Sequence, residues 1–426
     1  MRNNRFLAAS LAVLFAFVPS AKAEPKAVDK TYEQLKVLVD VLDYIQQNYV
    51  DEPETQKLIY GAATGMVRTL DPFSQFMEPD LHKELKTETD GEFGGLGIRI
   101  GIKDDWLTVV TPLPGSPAYR LGILPDDRLV EIDGETTKDM AMPDALHKLR
   151  GAPGTKVKLT LSREPDGDGP WPTKEYAITR ENIKIESVEP QKLENNIGYV
   201  RILEFSARTS EDALSALKSL KKQGSTSLIL DLRNNPGGLL SSAVDVASYF
   251  LGGSKLIVYT QGRKVEKPQE FRSGAQAPFG DLPLVVLINE GSASGSEIVA
   301  GALQDHKRAV IMGMRSYGKA SVQSVIPLSD GSGLRLTVAR YYTPLGRSIH
   351  RDEKNKTGGI TPDIAVPIAR DVESKLYTQW ELVYGKDRKP QSAVKKEDMV
   401  RDETLDRAVE LLKARDVLGN LKVKEG

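Results

Sequence analysis

Ser227-Leu228-Ile229-Leu230-Asp231-Leu232 and Leu284-Val285-Val286-Leu287-Ile288-Asn289 are two short, almost wholly apolar runs. Three and five consecutive apolar residues, with no regular polar alternation, fit strands covered on both faces. Working outward, residues 197–202 and 309–314 read as further strands. Residues 210–223, 239–251 and 296–304 carry the spacing of helices. Strand and helix therefore alternate from about residue 184, which predicts an α/β core, a layered mixed sheet with helices and mostly parallel strands.

Before this core the character differs. Residues 91–180 read as short strands and turns: 107–111, 128–132 and 156–163 are strands, and Asp133-Gly134 is a hairpin turn. Ser116-Pro117-Ala118-Tyr119-Arg120-Leu121-Gly122 is a short helix, with proline at its start and glycine at its end. A second helix is expected over 143–150, and 164–173, rich in Pro, Gly and Asp, is a loop. Further upstream, Leu35, Leu38, Val39, Leu42 and Ile45 mark a helix over 28–50 with one buried face. A helix over 54–69 stops at Leu70-Asp71-Pro72, because proline disfavours helical geometry in the residue before it. The charged tail from 371 carries one amphipathic helix at 402–416.

Bulk properties exclude several classes of function. The 426 residues are 40% hydrophobic and 27% charged, an ordinary globular balance. The net charge of −1 offers no basic excess for nucleic acid. With no cysteine, thiol nucleophiles, disulfides and thiolate metal sites are excluded. The four histidines, His82, His147, His306 and His350, form no zinc motif, so no metal site is expected.

The N-terminus reads as a signal peptide. Arg2 and Arg5 precede an apolar run from Leu7 to Val18, and Ala21-Lys22-Ala23 fits the small-x-small cleavage rule. The run is shorter than the roughly 20 residues that span a bilayer. Cleavage before Glu24 leaves 55 basic and 59 acidic residues, net −4. The expected location is periplasmic or envelope-associated.

Two segments carry candidate chemistry. Leu287-Ile288-Asn289-Glu290-Gly291-Ser292-Ala293-Ser294-Gly295-Ser296-Glu297-Ile298 runs from a buried strand through small residues into a helix. Such a turn presents a side chain above a sheet edge, beside free N–H groups suited to an oxyanion. The bland alternative is a serine that only caps the helix. Residue type alone leaves Ser292, Ser294 and Ser296 open. A serine nucleophile needs a base. His306 sits at the far end of the following helix, as a capping or solvent-facing residue. Lys319, just after the apolar strand 309–314, is better placed, provided burial lowers its pKa. Gln323, four residues on in an extended segment, is positioned to accept a hydrogen bond from Lys319 and hold it toward the serine.

These segments resemble the carboxyl-terminal processing peptidases, tail-specific serine proteases of peptidase family S41. The resemblance covers about 30–370 in the expected order. It rests on Leu70-Asp71-Pro72-Phe73-Ser74, Phe93-Gly94-Gly95-Leu96-Gly97-Ile98 and Asp231-Leu232-Arg233-Asn234-Asn235-Pro236-Gly237-Gly238. It continues through Gly291-Ser292-Ala293-Ser294-Gly295-Ser296-Glu297-Ile298 and Tyr317-Gly318-Lys319-Ala320-Ser321-Val322-Gln323. The resemblance implies Ser294 as nucleophile, Lys319 as general base and Gln323 as its orienting residue. It implies an oxyanion hole from the N–H groups of Gly238 and Gly295, and no cofactor. It also implies a PDZ domain that captures the C-terminal carboxylate of protein or peptide substrates at Gly95, Leu96, Gly97 and Ile98. The expected organisation is a signal peptide (1–23), an N-terminal helical segment (24–85), a PDZ-like domain (86–180), an α/β protease core (181–370) and a C-terminal helical tail (371–426). The helical ends are candidates for homo-oligomer formation or for binding an activating adaptor.

Three positions depart from the family pattern. Phe73 replaces a histidine at a site read as structural, where little loss is expected. Gly295 stands for alanine, and Ala320 for a glycine that matters only if positive φ is required. Two rival readings differ in class. Ser316-x-x-Lys319 with Lys356-Thr357-Gly358 echoes penicillin-interacting enzymes, but S-D-N is absent and the first motif leads into a strand. The other rival is a catalytically inactive or adaptor-dependent PDZ scaffold that binds peptides.

Overall fold

The computed structural model describes residues 28–423, apart from 104–105, 114, 125, 139, 141, 164–170, 264–265, 353–356, 370–371, 374, 377–378 and 381–398. The signal-peptide reading and Lys356 of the K-T-G motif therefore lie outside the described residues. The chain divides into a unit ending at Thr69 and a second from Leu70 onward.

The first unit contributes two helices, Val28–Asn48 and Thr55–Arg68. The expected buried face of the first is not formed within it. Leu35, Leu38 and Val39 are exposed, and only Leu42 and Ile45 are partly covered. In the neighbouring helix Thr55–Arg68 only Val67 is buried.

The second unit is built around a six-stranded sheet. Its strands are Val188–Lys192, Ile197–Ile202, Ser227–Asp231, Leu284–Ile288, Val310–Gly313 and Ile364–Ala365, in that spatial order. The first pair is antiparallel and the other four pairs are parallel. All five residues of Ser227–Asp231 and of Leu284–Ile288 are buried, as continuous apolarity requires of strands covered on both faces. Thr209–Lys222, Leu240–Ser248 and Gly295–Asp305 cover one face through Leu217, Leu220, Val246, Ala247, Val299 and Leu303. The last helix, Glu403–Val423, covers the other, where Ala408 and Leu412 meet Ile229, Val285 and Leu287. It extends well beyond the 402–416 read from sequence.

A second sheet was not apparent from the sequence. It is antiparallel and joins Gln75–Met77, Leu256–Gly262, Gln269–Arg272, Ser321–Pro327 and Gly333–Tyr342. The Leu70-Asp71-Pro72-Phe73-Ser74 turn is fastened to it. The Asp71 carboxylate accepts from the N–H groups of Phe73 and Ser74 and from the Ser74 hydroxyl, and Ser74 Oγ accepts from Thr337 N–H.

Residues 98–179 form a separate antiparallel sheet with its own core of Leu107, Val109, Leu129, Ile132, Leu159 and Ile178. Asp133 and Gly134 both take positive φ between the paired Ile132 and Glu135, the hairpin geometry read from Asp-Gly. Ser116 caps the short helix Pro117–Arg120, accepting from Tyr119 N–H, and a longer helix spans Met142–Leu149.

The tail is tied to the C-terminal ends of the parallel strands. Buried Arg233 lies between Asp231, at 2.6 Å, and Asp402, at 2.8 Å, with the Trp380 ring 4.4 Å from its guanidinium. Burial pushes the Asp231 carboxyl up, but Arg233 outweighs it and holds the group below the usual carboxylate range. Removing one partner strands a buried charge, which is strongly destabilising. Asp402→Ala is expected to cost about 3 kcal/mol of stability, measurable as a lowered midpoint of urea denaturation.

Candidate active site

The strand Leu284–Ile288 ends at the sheet edge where open α/β sheets place their ligands. The loop after it leads to Ser294, the residue before the helix Gly295–Asp305. Ser294 adopts φ 52° and ψ −110°, a backbone region that L-residues rarely occupy. Such strain costs on the order of 1–3 kcal/mol and persists only where the surroundings enforce it. Gly237 is part of that enforcement. A Cβ there would lie 2.6 Å from Ser294 Cβ and 2.8 Å from the Gly295 nitrogen, so only glycine fits.

The three serines of this loop have separate fates. Ser292 is buried, donates to the Leu232 carbonyl and accepts from Asn289 N–H. Ser296 is buried and donates to the Asn235 carbonyl. Ser294 makes neither of these framework bonds and stands at the N-cap of the helix, where Glu297 closes a capping box. Sequence alone had left the three equivalent.

Glu297 organises the site. Its side chain is fully buried. One oxygen, Oε2, accepts from Ser294 N–H and Lys319 N–H, each at 2.9 Å, so the two main-chain nitrogens are at most about 5.8 Å apart. The other, Oε1, accepts from the Ser316 hydroxyl at 2.5 Å and Gly318 N–H at 2.7 Å. Burial raises the carboxyl pKa above its ordinary value, and these donors only partly offset it. The carboxylate role was missed in the sequence, although S-x-x-E from Ser294 to Glu297 is the signature of a capping box.

Lys319 is partly buried, and its pKa lies below the ordinary lysine value. Burial is the largest cause and Arg335 adds repulsion, while Glu297 opposes both. Its ammonium is 5.1 Å from the centre of the Phe73 ring. Among the described residues it makes no hydrogen bond to Ser294 or to Gln323. Gln323 instead donates to the Phe73 carbonyl at 2.5 Å, so the bond expected between Gln323 and Lys319 is not the one formed. Tyr341, fully buried, donates to the Lys319 carbonyl and lies in reach of Glu297 as well as Ser294.

The glycines at 238 and 295 flank the nucleophile candidate. Neither donates its N–H to an acceptor among the described residues. Gly238 has φ 139°, and a Cβ there would sit 2.2 Å from the Phe205 carbonyl oxygen. At Gly295 a Cβ would meet the Phe205 ring at 2.9 Å, which suits the glycine found in place of alanine. Ala320 is buried and is not among the positive-φ residues, so the glycine of the pattern is not required there.

At the other predicted site, Gly95 pairs with Glu181, and the Leu96 carbonyl accepts from Ala118 N–H. Gly97, at φ 70°, packs against Ser116, which donates to its carbonyl. Ile98 opens the strand Ile98–Lys103. The N–H groups of Leu96 and Gly97 donate to no acceptor among the described residues. His306 closes the helix that Ser294 opens and bonds the Leu256 carbonyl, about 17 Å of helix away. Ser316 is committed between Glu297 and the Ile360 N–H, which leaves it no nucleophilic role of the S-x-x-K kind.

Comparison with known proteins gives concordant matches. The profile of peptidase family S41 matches residues 196–366, and that of the PDZ domain residues 108–163. The profile of the activating protease CtpB N-terminal domain matches residues 16–81. The carboxy-terminal-processing protease of Bartonella bacilliformis is 41% identical over 369 residues, covering 85% of this chain and 80% of the relative. The carboxyl-terminal-processing protease of Synechocystis sp. is 36% identical over 390 residues, covering 86% and 88%. The solved structure of a photosystem II D1 C-terminal processing protease is 30% identical over 78% of this chain and 93% of its own, with a TM-score of 0.44.

Glu297→Gln would turn an amide donor toward groups that are themselves donors. The expected outcome is about a 100-fold loss of kcat from displaced catalytic groups, and about 2 kcal/mol of stability from unsatisfied buried donors. Steady-state kinetics and denaturant titration of the same sample separate the two effects.

Proposed function

The chain belongs to peptidase family S41, together with the carboxyl-terminal processing proteases, and on that footing we propose that it is an exported serine endopeptidase cleaving near protein C-termini. Ser294 is the nucleophile and Lys319 the general base. The observation that carries this reading is the shared Glu297 oxygen, which brings the main chains of the two residues together from separate sheets.

The chemistry is acyl transfer. Neutral Lys319 takes the Ser294 hydroxyl proton as Oγ attacks the scissile carbonyl. The N–H groups of Gly238 and Gly295 receive the developing oxyanion, a contribution typically about 3–4 kcal/mol per donor. The Lys319 ammonium then protonates the leaving amine. In the second half, water attacks the acyl-enzyme, Lys319 takes its proton, and the product acid leaves with Ser294 restored. The step needs the Lys319 amine and the Ser294 hydroxyl to close on each other, a tightening that apo sites commonly await.

Substrate capture falls to the PDZ domain, with the loop Gly95-Leu96-Gly97-Ile98 receiving the terminal carboxylate and the peptide adding as a strand. Export rests on the N-terminal signal sequence, and the periplasm or envelope is the expected place of action. The resting geometry, with Lys319 and Gln323 both engaged by Phe73, favours a form that substrate or an adaptor must activate. Residues 16–81 match the N-terminal domain of an activating protease, and this helical segment is the proposed place for an activating adaptor to bind.

The test is cleavage of a loosely folded protein with an apolar C-terminal tail by the chain from Glu24. Ser294→Ala and Lys319→Ala are each expected to lower kcat/KM by about 10³-fold or more, and amidation of the tail to raise KM. Cleavage that survives Ser294→Ala would remove the nucleophile assignment. Peptide binding with no cleavage by any form would leave a scaffold.

The pH profile gives a second check. Only the neutral amine accepts the serine proton, so activity falls as pH drops through the lysine pKa. Because burial and Arg335 lower that pKa, the acid limb of kcat/KM is expected below the ordinary lysine value of 10.5. A limb at or above that value would show that the amine is not lowered as its burial requires.

A further inference from the structure

The residue that departs from the family pattern at position 73 lies where the base does. We infer that Phe73 is a positioning residue for the reaction, its ring seating the Lys319 amine in an apolar wall and its carbonyl fixing Gln323. The inference rests on the Ser–Lys reading for its catalytic meaning, though the seating itself can be measured without catalysis.

Three observations meet at Phe73. Its ring centre is 5.1 Å from the Lys319 ammonium, within the range of a cation–π contact. Its carbonyl accepts the Gln323 side-chain N–H at 2.5 Å, from 250 positions along the chain. Its own N–H and that of Ser74 are held by Asp71, so the turn presenting ring and carbonyl is rigid. One backbone turn thus engages both the base and the residue that orients it.

The ring acts on the lysine in two opposed ways. As an apolar wall it shields the amine from water and favours the neutral base. Through its face it attracts the ammonium that forms when the serine proton arrives. Burial is the largest influence on this lysine, and the Phe73 ring is one of the groups against its amine. The other charged groups acting on Lys319 are Arg335 from the strand Gly333–Tyr342 and Glu297 from the helix Gly295–Asp305. The Tyr341 hydroxyl reaches the Lys319 carbonyl, and Asp71 is spent on the Phe73 turn. A position expected from sequence to be merely structural thereby bears on the base.

The experiment is competitive acetylation of lysines across a pH series, with the modification of Lys319 read by peptide mass spectrometry. It uses the chain from Glu24 carrying Ser294→Ala, so that reagent cannot be consumed at the serine. The midpoint for Lys319 is expected below 10.5 and to rise toward it in Phe73→Ala, which admits water. Phe73→Leu keeps the wall without the aromatic face, so its midpoint is expected at or below that of the parent. An unchanged or lowered midpoint in Phe73→Ala, or equal rises in both variants, would overturn the inference. Retained thermal unfolding transitions confirm that folded proteins are compared, and Phe73→Leu serves if Phe73→Ala fails to fold. With Ser294 restored, the acid limb of kcat/KM is expected to follow the acetylation midpoint. A midpoint that moves while the limb stays would support the seating and reject Lys319 as the base.

Discussion

A single buried carboxylate holds the candidate active site together. Glu297 has no solvent of its own, and its two oxygens take four donors from two stretches of chain. Burying a carboxylate without partners costs far more than a protein can sustain, so these donors are the condition for its presence. The same bonds impose the geometry of the site. They fix the helix start at Ser294 and the loop 316–319 to one point, and thereby bring a strained serine near a partly buried lysine. Gly237 and Gly238 complete the arrangement from a third loop by allowing close backbone approach.

The division of labour between the sheets follows from this. The parallel sheet, with its strands buried on both faces, is a rigid platform for Ser294 and the 231–238 loop. The antiparallel sheet carries Lys319 at its entrance and Gln323 within it, next to the turn that presents Phe73. A pairing irregularity falls between Val322 and Gln323, where the partner strand fits one extra residue. Ser294 and Lys319 therefore belong to different layers joined through the Glu297 side chain.

Much of the platform could be read from residues alone. Apolar runs such as 227–231 and 284–288 have few alternatives to buried strands, and the Asp133-Gly134 turn declares its own hairpin. The antiparallel sheet was harder. Its strand Gly333–Tyr342 does alternate, with Leu334, Leu336 and Val338 against Arg335 and Thr337, but the neighbouring 256–262 and 269–272 are mixed in polarity. Contacts across long separations, such as Phe73 with Gln323 or Arg233 with Asp402, leave no local trace. Residue type left Ser292, Ser294 and Ser296 open and the resemblance pointed to Ser294; the hydrogen bonds commit the other two to the framework.

The clasp on Arg233 orders events in time as well as in space. Asp402 is synthesised after every strand of the parallel sheet, yet it supplies one of the two counter-ions of an arginine on the loop leading to Gly237 and Gly238. A nascent chain that has finished its sheet still holds this guanidinium half-compensated. The loop that leads to Gly237 and Gly238 gains this second counter-ion only from a residue just ahead of the last helix.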